Sequence, residues 1–390
     1  MNNQNLDYDI IIVGAGPAGS TAGYLLSKIG LKALLIDKDV FPRLKLCGGI
    51  LSLKTIEILN KIFSESILSL QNKRIIDYNT PYYEINYNFE KIFSYNASKF
   101  PFYFVEREIY DNFILEKAKS VGTEVIEGTK VKKINLDSRE IFLENGDKIK
   151  SRYIIGADGA NSVVRNEFIS KNLINSSKWQ DNLATGLECL IPRNKLKDNF
   201  SHPILSFGLV KYGYSWVFPN KNKIIVGVGG LNKKNKGTFK SIMKIILHKL
   251  KLDPNIISTV KGHPIPYGNF KIKPVYKNKV FLIGDAGGFV DPLWGEGIYY
   301  AHRTAQLVSL AISKEYYNRN HSDSSYLQLL QKYIYSELNY AIKLRKFFFS
   351  KMNVNLKYNP LKFAIKIFEK QFLELINGVR SYKWLMKKKE

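Results

Sequence analysis

The sequence predicts an α/β protein. A parallel-sheet nucleotide domain is discontinuous along the chain, an antiparallel β-sheet domain is inserted in it, and a helical region closes the C-terminus. Three observations predict this. Tyr8–Val13, Pro17–Ile29 and Ala33–Ile36 read as buried strand, helix and buried strand, a βαβ opening. Hundreds of residues later, the apolar run Val280 to Ile283 ends in Gly284-Asp285 and leads into a helical pattern. Between them, residues 183–230 read as several strands. Two nucleotide-type signals so far apart require one domain built from separate segments. The expected division is 1–75, 101–170 and 271–330 for the nucleotide domain, 76–100 and 171–270 for the inserted sheet, and 331–390 for the helical region.

The remaining elements follow in order. Residues 51–63 have helical spacing. Residues 75–104 are rich in Tyr, Phe, Ile and Asn and read as strands. Glu106–Ser120 is helical through Ile109, Phe113, Leu115 and Ala118. Short strands are expected around Glu124–Val131 and Glu140–Leu143, with Asn145-Gly146 as a hairpin turn. Tyr153–Ala157 is another buried strand. A helix is expected near 238–250, and residues 330–390 are mainly helical, broken near Pro360.

Composition bounds the function. The 390 residues are 45% hydrophobic, enough for the cores of two domains. No run of about 18 uncharged apolar residues predicts a membrane span. The polar start, Met1 to Ile10, has no secretory hydrophobic segment. Two cysteines, Cys47 and Cys189, suit a reducing cytoplasm. The net charge is +25, and residues 331–390 alone hold 14 Lys/Arg against 4 Asp/Glu. No nucleic-acid-binding motif accompanies this charge. The expected partner is an anionic membrane surface, with the protein peripheral on its inner, cytoplasmic face. Within 361–375, Leu361, Ala364, Ile365, Phe368, Phe372 and Leu375 recur at helical spacing. Lys362, Lys366 and Lys370 form a separate stripe. A helix packed on the core with its lysines in water gives the same pattern.

Gly14-Ala15-Gly16-Pro17-Ala18-Gly19 follows the first strand and opens the first helix. Gly14 permits the tight turn, Gly16 lets the backbone approach a pyrophosphate, and Gly19 lets helix and strand pack closely. Asp37, followed by Lys38, ends the second strand 18 residues after Gly19, where a carboxylate accepts hydrogen bonds from an adenosine ribose. Together these define a Rossmann-type dinucleotide fold. Near the other end, Asp285 at a strand end and Gly295-Glu296-Gly297-Ile298 at a helix start suit a polyol chain and an electron-rich ring, as in a flavin. Arg107 opens the Glu106–Ser120 helix and is a candidate for phosphate or ribityl oxygens.

Residues 153–165, with Asp158-Gly159 at their centre, resemble the Asp-Gly motif of the flavoprotein hydroxylase superfamily. With the N-terminal glycines and Gly284-Asp285, three motifs stand in that superfamily's order. The resemblance implies tightly bound FAD, held by Gly14, Gly16, Ala18, Gly19, Asp37, Lys38, Gly48, Gly49, Arg107, Val131, Asp158, Asp285, Gly295, Gly297 and Ile298.

Two further stretches narrow the resemblance. Arg43-Leu44-Lys45-Leu46-Cys47-Gly48-Gly49-Ile50 follows the second strand. Gly213-Tyr214-Ser215-Trp216-Val217-Phe218-Pro219 lies in the inserted domain. The pairing resembles the geranylgeranyl reductase family, in which reduced FAD saturates double bonds of isoprenoid chains. The resemblance implies hydride delivery from flavin N5 plus a proton, with Cys47 the catalytic candidate for the proton. It implies a lipid tunnel shaped by Tyr214, Trp216, Phe218, Pro219 and Trp294. The substrate it implies is a prenyl lipid or diphosphate, and the reductant it implies is NADPH or ferredoxin. Trp294 departs from the family, which usually carries a small residue there. The alternative is a flavin monooxygenase or halogenase of the same superfamily. A third reading is a non-catalytic lipid-carrying flavoprotein.

Other candidates are set aside. Gly227-Val228-Gly229-Gly230 ends a strand with no helix signal behind it. His248 lies in a basic helix, His202 and His263 precede prolines in loops, and His302 packs or faces solvent. No metal site and no Ser/His/Asp triad is expected.

Overall fold

The computed structural model describes residues 6–96, 99–318, 322–350 and 369–386. Ile10, Ile11 and Ile12 are fully buried, so the first strand has an apolar side chain on both faces. Such a strand needs cover above and below, which a parallel sheet flanked by helices supplies. Tyr8–Val13 pairs in parallel with Ala33–Ile36 on one side and Lys148–Gly156 on the other. Val280–Leu282 lies parallel beside Lys148–Gly156, so distant segments of the chain meet in one sheet. Helices Pro17–Ser27 and Ile298–Asn318 pack against each other on that sheet. The turn at Asn145-Gly146 joins Glu140–Leu143 to Lys148–Gly156, with Gly146 at φ 98°.

The inserted sheet has seven strands in the order Lys261–Pro266, Leu183–Pro192, Lys223–Leu231, Gly213–Pro219, Ile204–Phe207, Tyr82–Tyr87 and Glu90–Asn96. Its pairings are antiparallel except between Ile204–Phe207 and Tyr82–Tyr87. A third, small sheet joins Ile50–Leu51, Phe102–Val105 and Ile76–Thr80. The expected inserted segment 76–100 is therefore split. Pro81, which has no N–H to donate, stands at the break between Ile76–Thr80 and Tyr82–Tyr87.

Two described helices of the C-terminal region, Ser336–Ser350 and Glu369–Ile376, carry buried apolar residues. Leu373 and Leu375 pack into a cluster with Trp216, Phe218 and Phe349. Pro360 and most of the expected 361–375 helix, including Leu361, Ala364, Ile365, Phe368, Lys362 and Lys366, lie outside the described residues. Among the described residues, no helix is long and apolar enough to cross a membrane.

Candidate active site

The N-terminal glycines divide by what surrounds them. Gly14 adopts φ 102°, and a Cβ there would lie 2.5 Å from the Ala157 carbonyl oxygen. A Cβ on Gly19 would lie 1.8 Å from the Gly14 oxygen. Both are fixed by the protein's own packing. Gly16 is different: its nearest neighbour would be Arg43 Nη2 at 3.5 Å. Gly16 is also the N-cap of Pro17–Ser27, and no side chain caps that helix. Its positive end is left for an anion. Asp37 stands beside this loop. Its Oδ2 accepts from Ala15 N at 2.6 Å and its Oδ1 from Asp39 N at 2.9 Å. Lys38 is exposed, and Val131 is buried at the start of the strand that follows Gly128–Lys130. That segment is tied to Asp37 through Thr129 N at 2.9 Å.

Asp158 turns back on its own loop. Its Oδ2 accepts from Val163 N at 2.6 Å, while its buried Oδ1 has no partner. Burial raises its pKa against the hydrogen bonds that favour the charge. Arg165 bridges the two motif loops. It donates to Ala160 O at 2.6 Å and to Ala286 O at 3.2 Å, and stacks 3.9 Å over Trp179. Asp285 has its pKa raised by burial and opposed by the charges of Lys45, Arg107 and Arg165. A Cβ on Gly297 would lie 3.2 Å from Asp285 Oδ1, so the carboxylate sits at the start of helix Ile298–Asn318.

The turn before that helix is held by groups the sequence reading did not single out. Asp291 Oδ1 accepts from Leu293 N and Trp294 N at 2.8 and 3.0 Å. Its Oδ2 accepts from Tyr382 OH at 2.7 Å, which ties the C-terminal region to the site. Glu296 pairs with Lys54 at 2.5 Å and accepts from Ser52 and Thr55. A lone acid between Gly295 and Gly297 was the only local signal.

A cavity of about 190 Å³ lies where these segments meet the inserted sheet. Cys47, Gly48 and Gly49 line one side, and Trp294, Gly295, Gly297 and Ile298 another. Tyr214, Trp216 and Phe218 line the sheet side. Their period-two spacing puts them on one face, and for the same reason Pro219 faces away and is not in the lining. Tyr214 OH donates to the Trp294 carbonyl, so the aromatic strand holds the turn. Trp216 lies over Gly227, where a Cβ would meet its ring at 2.3 Å. The glycines of that strand thus make room for the indole.

Arg107, expected at phosphate or ribityl oxygens, donates through Nε and Nη2 to Asp111 at 2.8 and 2.9 Å, and its charge lies next to Cys47 and acts on Asp285. One expectation is corrected. His263 is not in a loop. It sits in strand Lys261–Pro266, opposite Gly186, and lines the cavity with Glu188. Pro264 does not prevent a strand here, because Lys261–Pro266 is an edge strand and an edge tolerates proline. His302 packs, fully buried, between Thr21 Oγ1 at 2.7 Å and Tyr110 OH at 2.6 Å. Among the described residues, no His, Cys, Asp or Glu group is arranged to hold a metal ion.

Fold and loops together define a flavoprotein of the hydroxylase type. The FAD binding domain family matches residues 7–196. An uncharacterised protein of Methanosarcina barkeri is 33% identical over 311 residues, covering 78% of this chain and 74% of that protein. A geranylgeranyl diphosphate reductase of Rhodobacter capsulatus is 29% identical, covering 76% and 73%. A solved geranylgeranyl bacteriochlorophyll reductase-like protein of Thermoplasma acidophilum superposes with a TM-score of 0.76 at 20% identity, covering 96% of each chain. The chain belongs to the geranylgeranyl reductase family and is an FAD-dependent oxidoreductase. Flavin-dependent halogenases share the fold, so fold alone leaves the chemistry open.

Proposed function

We propose that the protein saturates carbon–carbon double bonds of a geranylgeranyl or other prenyl chain carried on a lipid or diphosphate. The observation that carries this is the cavity. Its sheet side is an aromatic strand, and it opens directly onto the Cys47–Gly49 loop and the Gly295–Ile298 turn. An apolar pocket against those two loops suits a chain with no polar handle.

FAD fits the residues present. The open N-terminus at Gly16, with Gly14, Ala18 and Gly19 behind it, takes the pyrophosphate. Asp37 takes the ribose, with Lys38 and Val131 alongside. Asp285 and the helix start at Gly297 and Ile298 take the ribityl and ring end. The unpartnered Asp158 Oδ1 is the further acceptor on this side. Cys47, Gly48, Gly49 and Gly295 flank the ring. When bound and reduced, FAD supplies a hydride. The chain's residues do the rest: Trp216, Phe218 and Trp294 hold the alkene flat and keep water out.

A membrane surface as lipid source rests on the basic C-terminal region. NADPH and ferredoxin both remain reductants to test. The monooxygenase or halogenase reading would place O₂ chemistry in the same cavity. The deciding experiment is anaerobic incubation of the reduced holoprotein with a prenyl lipid. Mass gains of two hydrogens per bond support the reductase, whereas no gain, with oxygen- or halide-dependent products in air, sinks it.

A further inference from the structure

Ala184, Gly186 and Glu188 share one face of strand Leu183–Pro192, turned toward the cavity, and Cys189 lies on the opposite face in a separate apolar cluster. Glu188 is 2% exposed. A carboxyl group in an apolar cavity needs a reason to be there. It stands in a row across three strands, paired with Gly227, which pairs in turn with Trp216. The missing side chain of Gly227 leaves a gap in that row, and the Nε1 edge of Trp216 lies over it at 2.5 Å from where a Cβ would be. Neither Glu188 Oε2 nor Trp216 Nε1 completes a well-formed hydrogen bond, although the Trp216 N–H lies close enough to the carboxyl to favour its charge. His263, two residues along the neighbouring strand from Lys261, which pairs with Glu188, is the diagonal neighbour on the same face, and its Nδ1 is also unpartnered. Three buried polar atoms without a well-formed hydrogen bond therefore line the cavity.

We propose that Glu188 is the proton donor to the prenyl double bond, an assignment that rests on the reductase reading. The Glu188 O–H bond breaks and a C–H bond forms at the less substituted alkene carbon. The second hydrogen arrives with its electron pair from the reduced flavin at the tertiary carbon, so the alkene is reduced and the flavin oxidised. The carboxylate left behind takes a proton back from solvent when product leaves. Cys47 then shapes the reacting end rather than supplying the proton.

The surroundings favour a group that holds its proton near neutrality. Burial pushes the Glu188 carboxyl up to about 7, against the pull of Lys45, the Trp216 N–H and Arg107. His263 is pushed down to about 4 by burial and by the charges of Lys45 and Arg107, so it faces Glu188 as a neutral imidazole. Tyr214 also faces the carboxyl, Cys189 lies behind it, and Lys261, opposite in register, is exposed.

The test compares wild type, Glu188→Gln and Glu188→Asp as FAD-loaded proteins. Two measurements are independent of turnover. Quenching of tryptophan fluorescence by a prenyl lipid should be equal in all three. The infrared difference spectrum of wild type minus Glu188→Gln should contain a protonated-carboxyl band that fades as pH rises through about 7. In single turnover after anaerobic reduction, Glu188→Gln should lose about 100-fold in rate. Glu188→Asp should recover part of it. A wild-type rate retained by Glu188→Gln, or absence of the carboxyl band, overturns the donor role and leaves the reductase reading standing. Wild type that reduces no prenyl lipid, with the band present, overturns the reductase reading and the donor role with it.

Discussion

Gly48 and Phe218 are in direct contact: a Cβ on Gly48 would lie 2.4 Å from Phe218 Cδ2. The two residues come from different sheets' territory and are 170 positions apart in the chain. Their contact joins the Cys47–Gly49 loop to the aromatic strand, and so sets the shape of the cavity between them.

Gly48→Ala should therefore push Phe218 or the loop out of place. Overpacking of this kind costs about 1–3 kcal/mol. We expect a lower melting temperature and a changed product distribution, both relieved in the double variant with Phe218→Leu. Two single-variant effects that simply add would mean the contact does not govern the cavity.

The glycines of the first loop should separate cofactor from fold. A Cβ at Gly16 meets only Arg43, at ordinary contact distance, so Gly16→Val should fold but purify colourless. Gly19→Ala places a methyl within 1.8 Å of the Gly14 oxygen and should destabilise the fold itself. Absorbance of bound FAD and thermal melting measure the two effects. A yellow, fully loaded Gly16→Val protein would show that the pyrophosphate lies elsewhere.

Cys47→Ala should keep FAD and lose turnover by an amount on the order of 10-fold, through a reshaped loop. The thiol accepts from Gly49 N at 3.4 Å and sits beside Arg107. The same rate and the same products would reduce Cys47 to packing.

Glu65 gives a pH signature of the fold. Burial alone would raise its pKa, but hydrogen bonds from Lys117, Lys73 and Ser69 outweigh it and hold the carboxyl at about 2. A depressed carboxylate stabilises the folded state above its unfolded value near 4.3, and that contribution disappears as pH falls through the folded value. Glu65→Gln should be about 2 kcal/mol less stable at pH 7. The gap should hold down to about pH 5 and close between there and pH 2. A gap independent of pH would mean the ion pairs contribute nothing.

Membrane association is tested by co-sedimentation with vesicles. Pelleting with anionic vesicles, weakening as salt screens the charges, is the expected result. Equal pelleting with neutral vesicles would leave the C-terminal lysines as a solvated face. Lys370 is exposed while Leu373 and Leu375 are buried in the core, so the described part of that helix already has one packed face.

By itself the sequence determined what local periodicity and turn chemistry encode. The βαβ opening and the glycine roles at Gly14 and Gly19 followed from residues near one another in the chain, and the family from the order of its motifs along it. Strand alternation also placed Tyr214, Trp216 and Phe218 together, and the same alternation turns Pro219, which the motif had grouped with them, to the other face. The tertiary structure decided what depends on distant partners. Arg107 is oriented by Asp111, four residues on in the same helix, and its charge reaches Cys47 and Asp285 only in the folded chain. His263 looked like a loop residue because of Pro264, and only its place on a sheet edge turned it toward the cavity. Glu188 had no motif at all. Its meaning lies in a row with Gly227 and Trp216, three residues from three strands, and such a row exists only once register is fixed, because a shift of one residue would turn every side chain to the other face.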